Sequence, residues 1–288
     1  MTSGDEELNN LASELRFRVI RTSSLSGTPH VGSCMSCIDL LVYLYWRVLR
    51  VDPNFPVCEE RDRFILSKGH AAPALFQVLA KRGFYDIADL EGYGSDGSVF
   101  GEHPPAPKCL PGVEAATGSL GHGLSMGLGM AMAARFRGLR YRTYVVLSDG
   151  ECNEGAVWES AMMASAQGIN SLTAIVDYNK WQATGRSNEV LGLAPLAEKW
   201  AAFGWYVLEI NGHDFNEIQS AIADEDELGR PKAIIAHTVK GKGVSFMEDD
   251  NNWHYRIPSA SEVEEAAAEL GMTQEYARQY RNLDGTED

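Results

Sequence analysis

The sequence predicts an α/β fold: a doubly wound, mostly parallel sheet with helices on both faces. Two short apolar runs, residues 144–147 and 172–176, are rich in β-branched residues and end in polar ones, which is typical of buried strands. A helical stretch, residues 158–166, lies between them and completes a βαβ unit. Further strands alternate with helices along the chain, as they do in doubly wound sheets.

The first part of the chain contains two helices, a short strand and a long loop. Helical periodicity covers residues 8–25 and 36–49, and an Asp-Pro pair follows the second helix. Residues 63–66 are predicted to be a short strand. Residues 92–112 are rich in Gly and Pro, so we predict a long loop, and loops of this length inside a compact domain are usually functional.

The second part begins with a glycine-rich loop that leads into a buried helix, residues 118–134. Residues 205–210 and 232–238 are predicted strands. Between them, Asp214 and Glu217 have the spacing of a capping box, so they begin a helix, and His213 has a structural explanation in the same turn. We predict one domain over residues 1–258, followed by an exposed helix and an acidic tail over residues 259–288.

Composition limits the function classes that the chain can serve. Of its 288 residues, 44% are hydrophobic and 23% are charged, which is ordinary for a globular protein. The formal net charge of −15 argues against nucleic acid and anionic membrane partners, because both require a basic surface. No apolar run reaches membrane-spanning length without polar interruption.

The cysteines and the start of the chain indicate a reducing compartment. The five cysteines are odd in number and spread along the chain, and the acidic start lacks the basic and apolar regions of a signal peptide. We therefore expect a cytoplasmic protein. Cys34 and Cys37 have CxxC spacing, but no second pair completes a zinc site, so a redox or metal role there is the less favoured interpretation.

Polar residues follow both strands of the βαβ unit. Asp149 comes after the first strand and Asn179 after the second, and the carboxyl ends of parallel strands meet at one edge of a sheet. Carboxylate and amide oxygens suit Mg²⁺, and Gly150 allows a phosphate to approach the backbone. Taken singly, Asp149 could be an N-cap and Asn179 a turn residue. The pair together favours a metal that holds a diphosphate.

Several motifs in a fixed order resemble the diphosphate-binding half of the transketolase family, from about residue 11 to residue 255. They are Pro-His-Val-Gly-Ser at 29–33, Arg-Asp-Arg-Phe-Ile-Leu-Ser-Lys-Gly-His at 61–70, Gly-Val-Glu at 112–114, Thr-Gly-Ser-Leu-Gly-His-Gly at 117–123, Ser-Asp-Gly-Glu-Cys-Asn-Glu-Gly at 148–155, Asp-Tyr-Asn at 177–179, Gly-His-Asp at 212–214, Thr-Val-Lys-Gly-Lys-Gly at 238–243 and Trp-His at 253–254.

The resemblance implies thiamine diphosphate and a divalent metal, Mg²⁺ or another cation such as Ca²⁺ or Mn²⁺. It implies transfer of a two-carbon ketol unit from a ketose to an aldose. By motif, Asp149 and Asn179 would bind the metal through their side chains, and Trp181 through its main-chain carbonyl. The other positions that resemble cofactor contacts are Ser33, His70, Gly118, Leu120, Gly150 and Lys240.

The resemblance also assigns residues to the substrate. His30, His103 and His254 resemble the histidines that contact substrate oxygens, where imidazoles can accept and donate protons near neutral pH. Glu154 resembles the glutamate that couples the two sites of the dimer across their interface.

Three positions depart from the family pattern. Ser148 replaces the first glycine of Gly-Asp-Gly, and Trp181 replaces a smaller aliphatic residue. Tyr255 follows His254 where glycine is common, which would narrow the substrate channel.

Full-length members continue into a pyrimidine-binding domain, which contributes the glutamate that activates the cofactor, and nothing after Tyr255 resembles it. We therefore expect one half of a split transketolase. It would pair with a C-terminal subunit that carries the pyrimidine-binding domain, form a symmetric heterotetramer and act on sugars or sugar phosphates. Two alternatives stay open: a non-catalytic cofactor-binding or assembly subunit, and the first subunit of another thiamine diphosphate enzyme such as a 2-oxoacid dehydrogenase.

Overall fold

The computed structural model describes residues 3–272, and a five-stranded sheet in the order β1-β2-β3-β5-β4 lies at its centre. Every pairing in this sheet is parallel. All five predicted strands are present, and each bound lies within two residues of its prediction. The strands are β1 (Arg63–Leu66), β2 (Thr143–Ser148), β3 (Leu172–Tyr178), β4 (Tyr206–Asn211) and β5 (Lys232–His237).

Helices cover both faces of the sheet. Successive strand residues point to opposite sides, so apolar side chains on both faces need a covering layer. In β2, Val146 packs in one apolar cluster with Ile38, whereas Val145 packs in another with Leu124. The predicted doubly wound α/β class is therefore confirmed. The helices are α1 (Ser3–Ser26), α2 (Val31–Tyr43), α3 (Ala72–Arg82), α4 (His122–Arg137), α5 (Gly155–Ala166), α6 (Ser187–Val190), α7 (Leu196–Ala202), α8 (Phe215–Ala223) and α9 (Ala260–Glu269).

The central helix α2 differs from the prediction at its start. It begins at Val31, where the sequence predicted Ser36, because His30 adopts a left-handed conformation (φ 79°) and turns the chain directly into the helix. A π-helical segment, Leu44–Val48, continues it. The window Val31–Val48 is long and apolar enough to cross a membrane, but 83% of it is buried inside this protein, as expected for a core helix.

Two helices differ from their predicted burial. The prediction of a buried helix over residues 118–134 is wrong for one face of α4, since Leu124 is fully buried whereas Ser125, Gly129 and Ala133 are exposed. The predicted exposed helix at the C-terminus is α9, and its Ala266 and Ala267 are buried in a cluster with Phe17 of α1. The acidic tail beyond residue 272 lies outside the described residues, and the domain boundary after residue 258 stays a prediction.

Candidate active site

The loops that follow the strands meet at the carboxyl edge of the sheet. Ser148 pairs with Asp177 in the β2–β3 register, so Asp149 and Asn179 leave the sheet from neighbouring strand ends. His70 follows β1 and Lys240 follows β5 at the same edge. The predicted placement of Asp149 and Asn179 at one edge is confirmed, because all the strands run parallel.

Asp149 is a buried carboxylate surrounded by neutral donors. It accepts hydrogen bonds from the main-chain N–H groups of Gly150 (2.9 Å) and Lys180 (2.8 Å) and from the hydroxyl of Ser187 (2.8 Å). Burial raises the pKa of Asp149 to about 6. The side chain does act as a cap, on the short 3₁₀ helix Gly150–Asn153. Within residues 3–272 the hydrogen-bond partners of this buried carboxylate are all uncharged groups, which also favours a bound cation.

Asn179 lies in a turn at the end of β3. Its side-chain oxygen accepts a hydrogen bond from the N–H of Trp181 (3.0 Å), and its Nδ2 donates to the hydroxyl of Ser36 (3.3 Å). Among residues 3–272, no three His, Cys, Asp or Glu side chains cluster as metal ligands. A set with one carboxylate, one amide and one carbonyl would therefore need phosphate oxygens and water to complete six ligands around Mg²⁺.

The side chain of Trp181 lies away from the buried carboxylate. Its indole N–H donates to Asp249 (2.8 Å), and the guanidinium of Arg186 stacks over its ring at 3.7 Å. Arg186 also forms two 2.6 Å hydrogen bonds to Asp249. The large side chain is thus accommodated by surface contacts, and its main-chain carbonyl stays the predicted ligand.

Two features of the loop beside Asp149 fit a diphosphate. A Cβ added at Gly150 would lie 2.9 Å from Cγ of Gln182, so the glycine keeps this space open. Nε2 of Gln182 is buried and has no hydrogen-bond partner within the described chain. A buried donor of this kind needs an acceptor, and a phosphate oxygen would supply one. The sequence did not predict a role for Gln182 or Ser187, and their only signal was nearness to the metal-binding motif.

Lys68 connects neighbouring segments at the carboxyl edge of the sheet. Its ammonium is fully buried, forms an ion pair with Asp177 and donates to the carbonyl of Ser33 (2.8 Å). Asp177 also accepts hydrogen bonds from the hydroxyls of Ser36 (2.6 Å) and Thr238. These contacts join β1, β3, β5 and α2, so Lys68 has a structural role and Ser33 is held in the first turn of α2.

Three imidazole rings form a cluster at the same edge. The ring centroid of His30 lies 5.1 Å from that of His254 and 5.5 Å from that of His70. Burial, with further contributions from nearby cationic groups, lowers the pKa of His30 to about 4 and of His254 to about 3, and it lowers the pKa of His70 as well. All three rings are therefore neutral at pH 7 and able to accept a proton.

Lys240 connects this cluster to the candidate cofactor site. Its Nζ lies 2.9 Å from Nδ1 of His254 and 2.8 Å from the side-chain oxygen of Asn251. Burial lowers the pKa of Lys240 to about 7, and the nearby charge of Lys68 acts in the same direction. A bound anion would hold this ammonium in its charged form.

The remaining predicted residues lie at the rim. His103 is exposed and packs on Gly118, where an added Cβ would lie 2.7 Å from Cδ2 of the imidazole. Leu120 is 36% exposed, and Glu154 is exposed at the start of α5 beside Gly121. His103 is close enough to lower the pKa of His30, whereas Glu154 lies on the outer surface. The roles assigned to all these residues stay predictions.

Comparison with known proteins agrees with this geometry. Residues 8–281 match the family described as transketolase, thiamine diphosphate binding domain. The chain belongs to the transketolase family. It is 40% identical over 266 residues to an apulose-4-phosphate transketolase subunit of Phocaeicola vulgatus, covering 92% of this chain and 94% of that one.

A second transketolase relative is the 6-deoxy-6-sulfo-D-fructose transketolase subunit SqwG of Clostridium sp., 39% identical over 86% of this chain and 90% of its own length. Among solved structures, transketolase from Leishmania mexicana superposes with a TM-score of 0.84 at 27% identity. That alignment covers 92% of this chain but 41% of the other, so this chain spans less than half of a full-length transketolase. The predicted enzyme class, a transketolase subunit that uses thiamine diphosphate, is confirmed.

Proposed function

We propose that this chain holds thiamine diphosphate through a divalent metal and transfers a two-carbon ketol unit together with a separate pyrimidine-domain subunit. The main support is the buried Asp149 carboxylate at the same sheet edge as three neutral imidazoles. A metal and diphosphate site next to groups that accept protons is what this reaction requires.

Each group has a distinct task in this proposal. Asp149, Asn179 and the carbonyl of Trp181 would hold the metal, while Gln182 and Lys240 would donate hydrogen bonds to the diphosphate. When bound, the cofactor supplies the electron sink for cleavage of the ketose. His30 and His254 would hold and move protons at the substrate hydroxyls, since their rings are neutral at working pH.

The partner proposal rests on length and on the resemblance. The two subunit relatives are almost fully covered by this chain, and their names describe subunits of transketolases. Both names also specify a sugar that carries an anionic group. We therefore propose a sugar phosphate or a comparable anionic ketose as substrate and a cytoplasmic location, with the second subunit supplying the activating glutamate.

An apolar surface on α4 and α5 supports a symmetric heterotetramer. Phe136 is 75% exposed, Met162 is 53% exposed and Met163 is 43% exposed. Large apolar side chains exposed on two helices that pack together are suited to a protein interface, and a two-fold axis is the commonest way to bury one. Glu154, at the start of α5, would then face its counterpart in the second copy of this chain.

The decisive experiment measures ketol transfer after size-exclusion chromatography. The purified chain alone should be inactive, and addition of a pyrimidine-domain subunit with thiamine diphosphate and Mg²⁺ should restore transfer. Activity of the isolated chain would refute the split arrangement. A complex that assembles and binds cofactor but neither transfers ketol groups nor decarboxylates 2-oxoacids would instead favour the non-catalytic alternative.

A further inference from the structure

A buried chain of contacts connects α1 and α2 to the loop that carries Lys240. Nη2 of Arg16 lies 2.5 Å from Oδ2 of Asp39, and the same oxygen lies 2.6 Å from Nδ1 of His213. Nε2 of His213 accepts a hydrogen bond from the main-chain N–H of Val239 at 2.9 Å. Arg16 and Asp39 are 6% and 4% exposed, so water competes little for these contacts.

The two contacts of the His213 ring fix its protonation. Nε2 faces an N–H donor and must therefore carry a lone pair, whereas Nδ1 faces a carboxylate and must carry the proton. Burial favours the neutral form of Asp39, but the charge of Arg16 and the hydrogen bond from His213 hold the pKa of Asp39 below its usual value. The ring is thus a neutral connector between a carboxylate and the backbone.

Val239 lies two residues after the end of β5, beyond the sheet ladder, and immediately before Lys240. The neighbouring residues have other anchors: Thr238 bonds to Asp177, and the N–H of Gly241 donates to the carbonyl of Gly32 at 3.0 Å. At the residue before Lys240, the N–H of Val239 is held by His213, and the Val239 carbonyl accepts a hydrogen bond from the N–H of Lys242 at 3.2 Å within the same loop.

The same loop also packs on Arg16. A Cβ added at Gly243 would lie 3.0 Å from Cδ of the arginine, so this glycine allows the loop and the arginine side chain to approach closely. The arginine therefore supports the loop both directly and through Asp39.

We propose that His213 is a positioning residue, which fixes the main chain at Val239 and so places the ammonium of Lys240, while Arg16 and Asp39 keep its ring in the required tautomer. The pairing of a carboxylate with an imidazole resembles a catalytic dyad. In His213, however, the nitrogen that faces away from the carboxylate already accepts a hydrogen bond from a backbone N–H, so the ring performs no proton transfer. The importance for catalysis rests on the proposed function, in which Lys240 contacts the diphosphate.

The first measurement uses ¹⁵N NMR on the ligand-free chain. At neutral pH, Nδ1 of His213 should have the shift of a protonated ring nitrogen and Nε2 that of an unprotonated one. The reverse tautomer, or a doubly protonated ring, would overturn the proposal. This measurement needs neither cofactor nor partner subunit.

The second measurement follows the ammonium of Lys240 by NMR titration. In His213→Leu the loop should loosen and admit water, so the pKa of Lys240 should rise by about one unit or more toward its ordinary value. His213→Gln offers a side-chain oxygen to Val239 and should rescue much of the effect, and it replaces the leucine variant if that one does not fold. Asp214→Ala is the control, because Asp214 caps α8 without contacting the His213 ring.

A merely structural role would lower the stability of all three variants and leave the pKa of Lys240 unchanged, which would refute the proposal. Calorimetry with thiamine diphosphate and Mg²⁺ then adds a double-mutant cycle between His213→Leu and Lys240→Met. Loss of affinity should be non-additive if His213 acts through Lys240. If the wild-type chain and its variants bind no cofactor even in the presence of the pyrimidine-domain subunit while both NMR results hold, the proposed function fails and the positioning role stands.

Discussion

Replacing Asp149 with alanine should reduce the affinity for thiamine diphosphate in the presence of Mg²⁺ by at least about tenfold, which corresponds to about 1.4 kcal/mol. Without the carboxylate, the metal loses its only charged protein ligand in the predicted set, and the diphosphate loses the cation that offsets its charge. Loss of groups that merely orient metal ligands already costs about 10- to 100-fold, so tenfold is a lower bound for a direct ligand.

The structure indicates that this substitution will not simply unfold the chain. Burial raises the pKa of Asp149 from 3.8 to about 6, so the ionised group costs the ligand-free fold about 3 kcal/mol at neutral pH. Alanine removes that cost but leaves the donors of Gly150, Lys180 and Ser187 without their acceptor, at about 1–3 kcal/mol for each group that water cannot reach. The two effects have opposite signs and partly cancel.

Isothermal titration calorimetry at pH 7.5 measures the affinity, and thermal unfolding checks the fold. The control variant is Asp226→Ala, since Asp226 is another hydrogen-bonded carboxylate but pairs with Arg230 outside the candidate site. Affinity for the cofactor should also decrease as the pH falls below about 6, because protonated Asp149 no longer attracts the metal. Undiminished affinity in Asp149→Ala would refute the metal assignment.

Three further predictions concern the neighbouring residues. His30→Ala should preserve cofactor affinity and lower the turnover of the reconstituted enzyme by about a hundredfold. His254→Ala should lower turnover and also weaken cofactor binding, because His254 contacts Lys240. Normal turnover in either variant would return that histidine to a structural role. Gln182→Leu should weaken thiamine diphosphate binding by about tenfold in calorimetry, and equal affinity would mean that its amide donates elsewhere. The pKa values of His30 and His254 are lowered from 6.5 to about 4 and about 3 in the folded chain. Below pH 6.5 the unfolded chain therefore takes up protons at these histidines while the folded chain does not. The stability that they contribute is lost as the pH falls from 6.5 toward 4 for His30 and toward 3 for His254. Urea unfolding between pH 7 and 5 should accordingly show a smaller acid loss in His30→Asn than in the wild type, and equal losses would contradict the lowered pKa.

Local patterns in the sequence were sufficient for the strands and the sheet edge. The β-branched runs at 144–147 and 172–176 form β2 and β3, since strand formation depends on side chains that are neighbours in the chain. Parallel strands then require that Asp149 and Asn179 share an edge. The start of α2 was less predictable, because His30 adopts an uncommon left-handed conformation that residue type alone does not require.

The sequence by itself determined the fold class, the family and the residues that end each strand. Tertiary structure decided what those residues contact: Asp177 pairs with Lys68 across 109 positions, and Asp39 pairs with His213 across 174. The reason is physical. Periodicity and turn chemistry act between residues that are close in the chain, whereas such pairs depend on the spatial order of the strands in the sheet. In this sheet β5 lies between β3 and β4. This strand order places Lys240, which follows β5, beside His254 in the imidazole cluster.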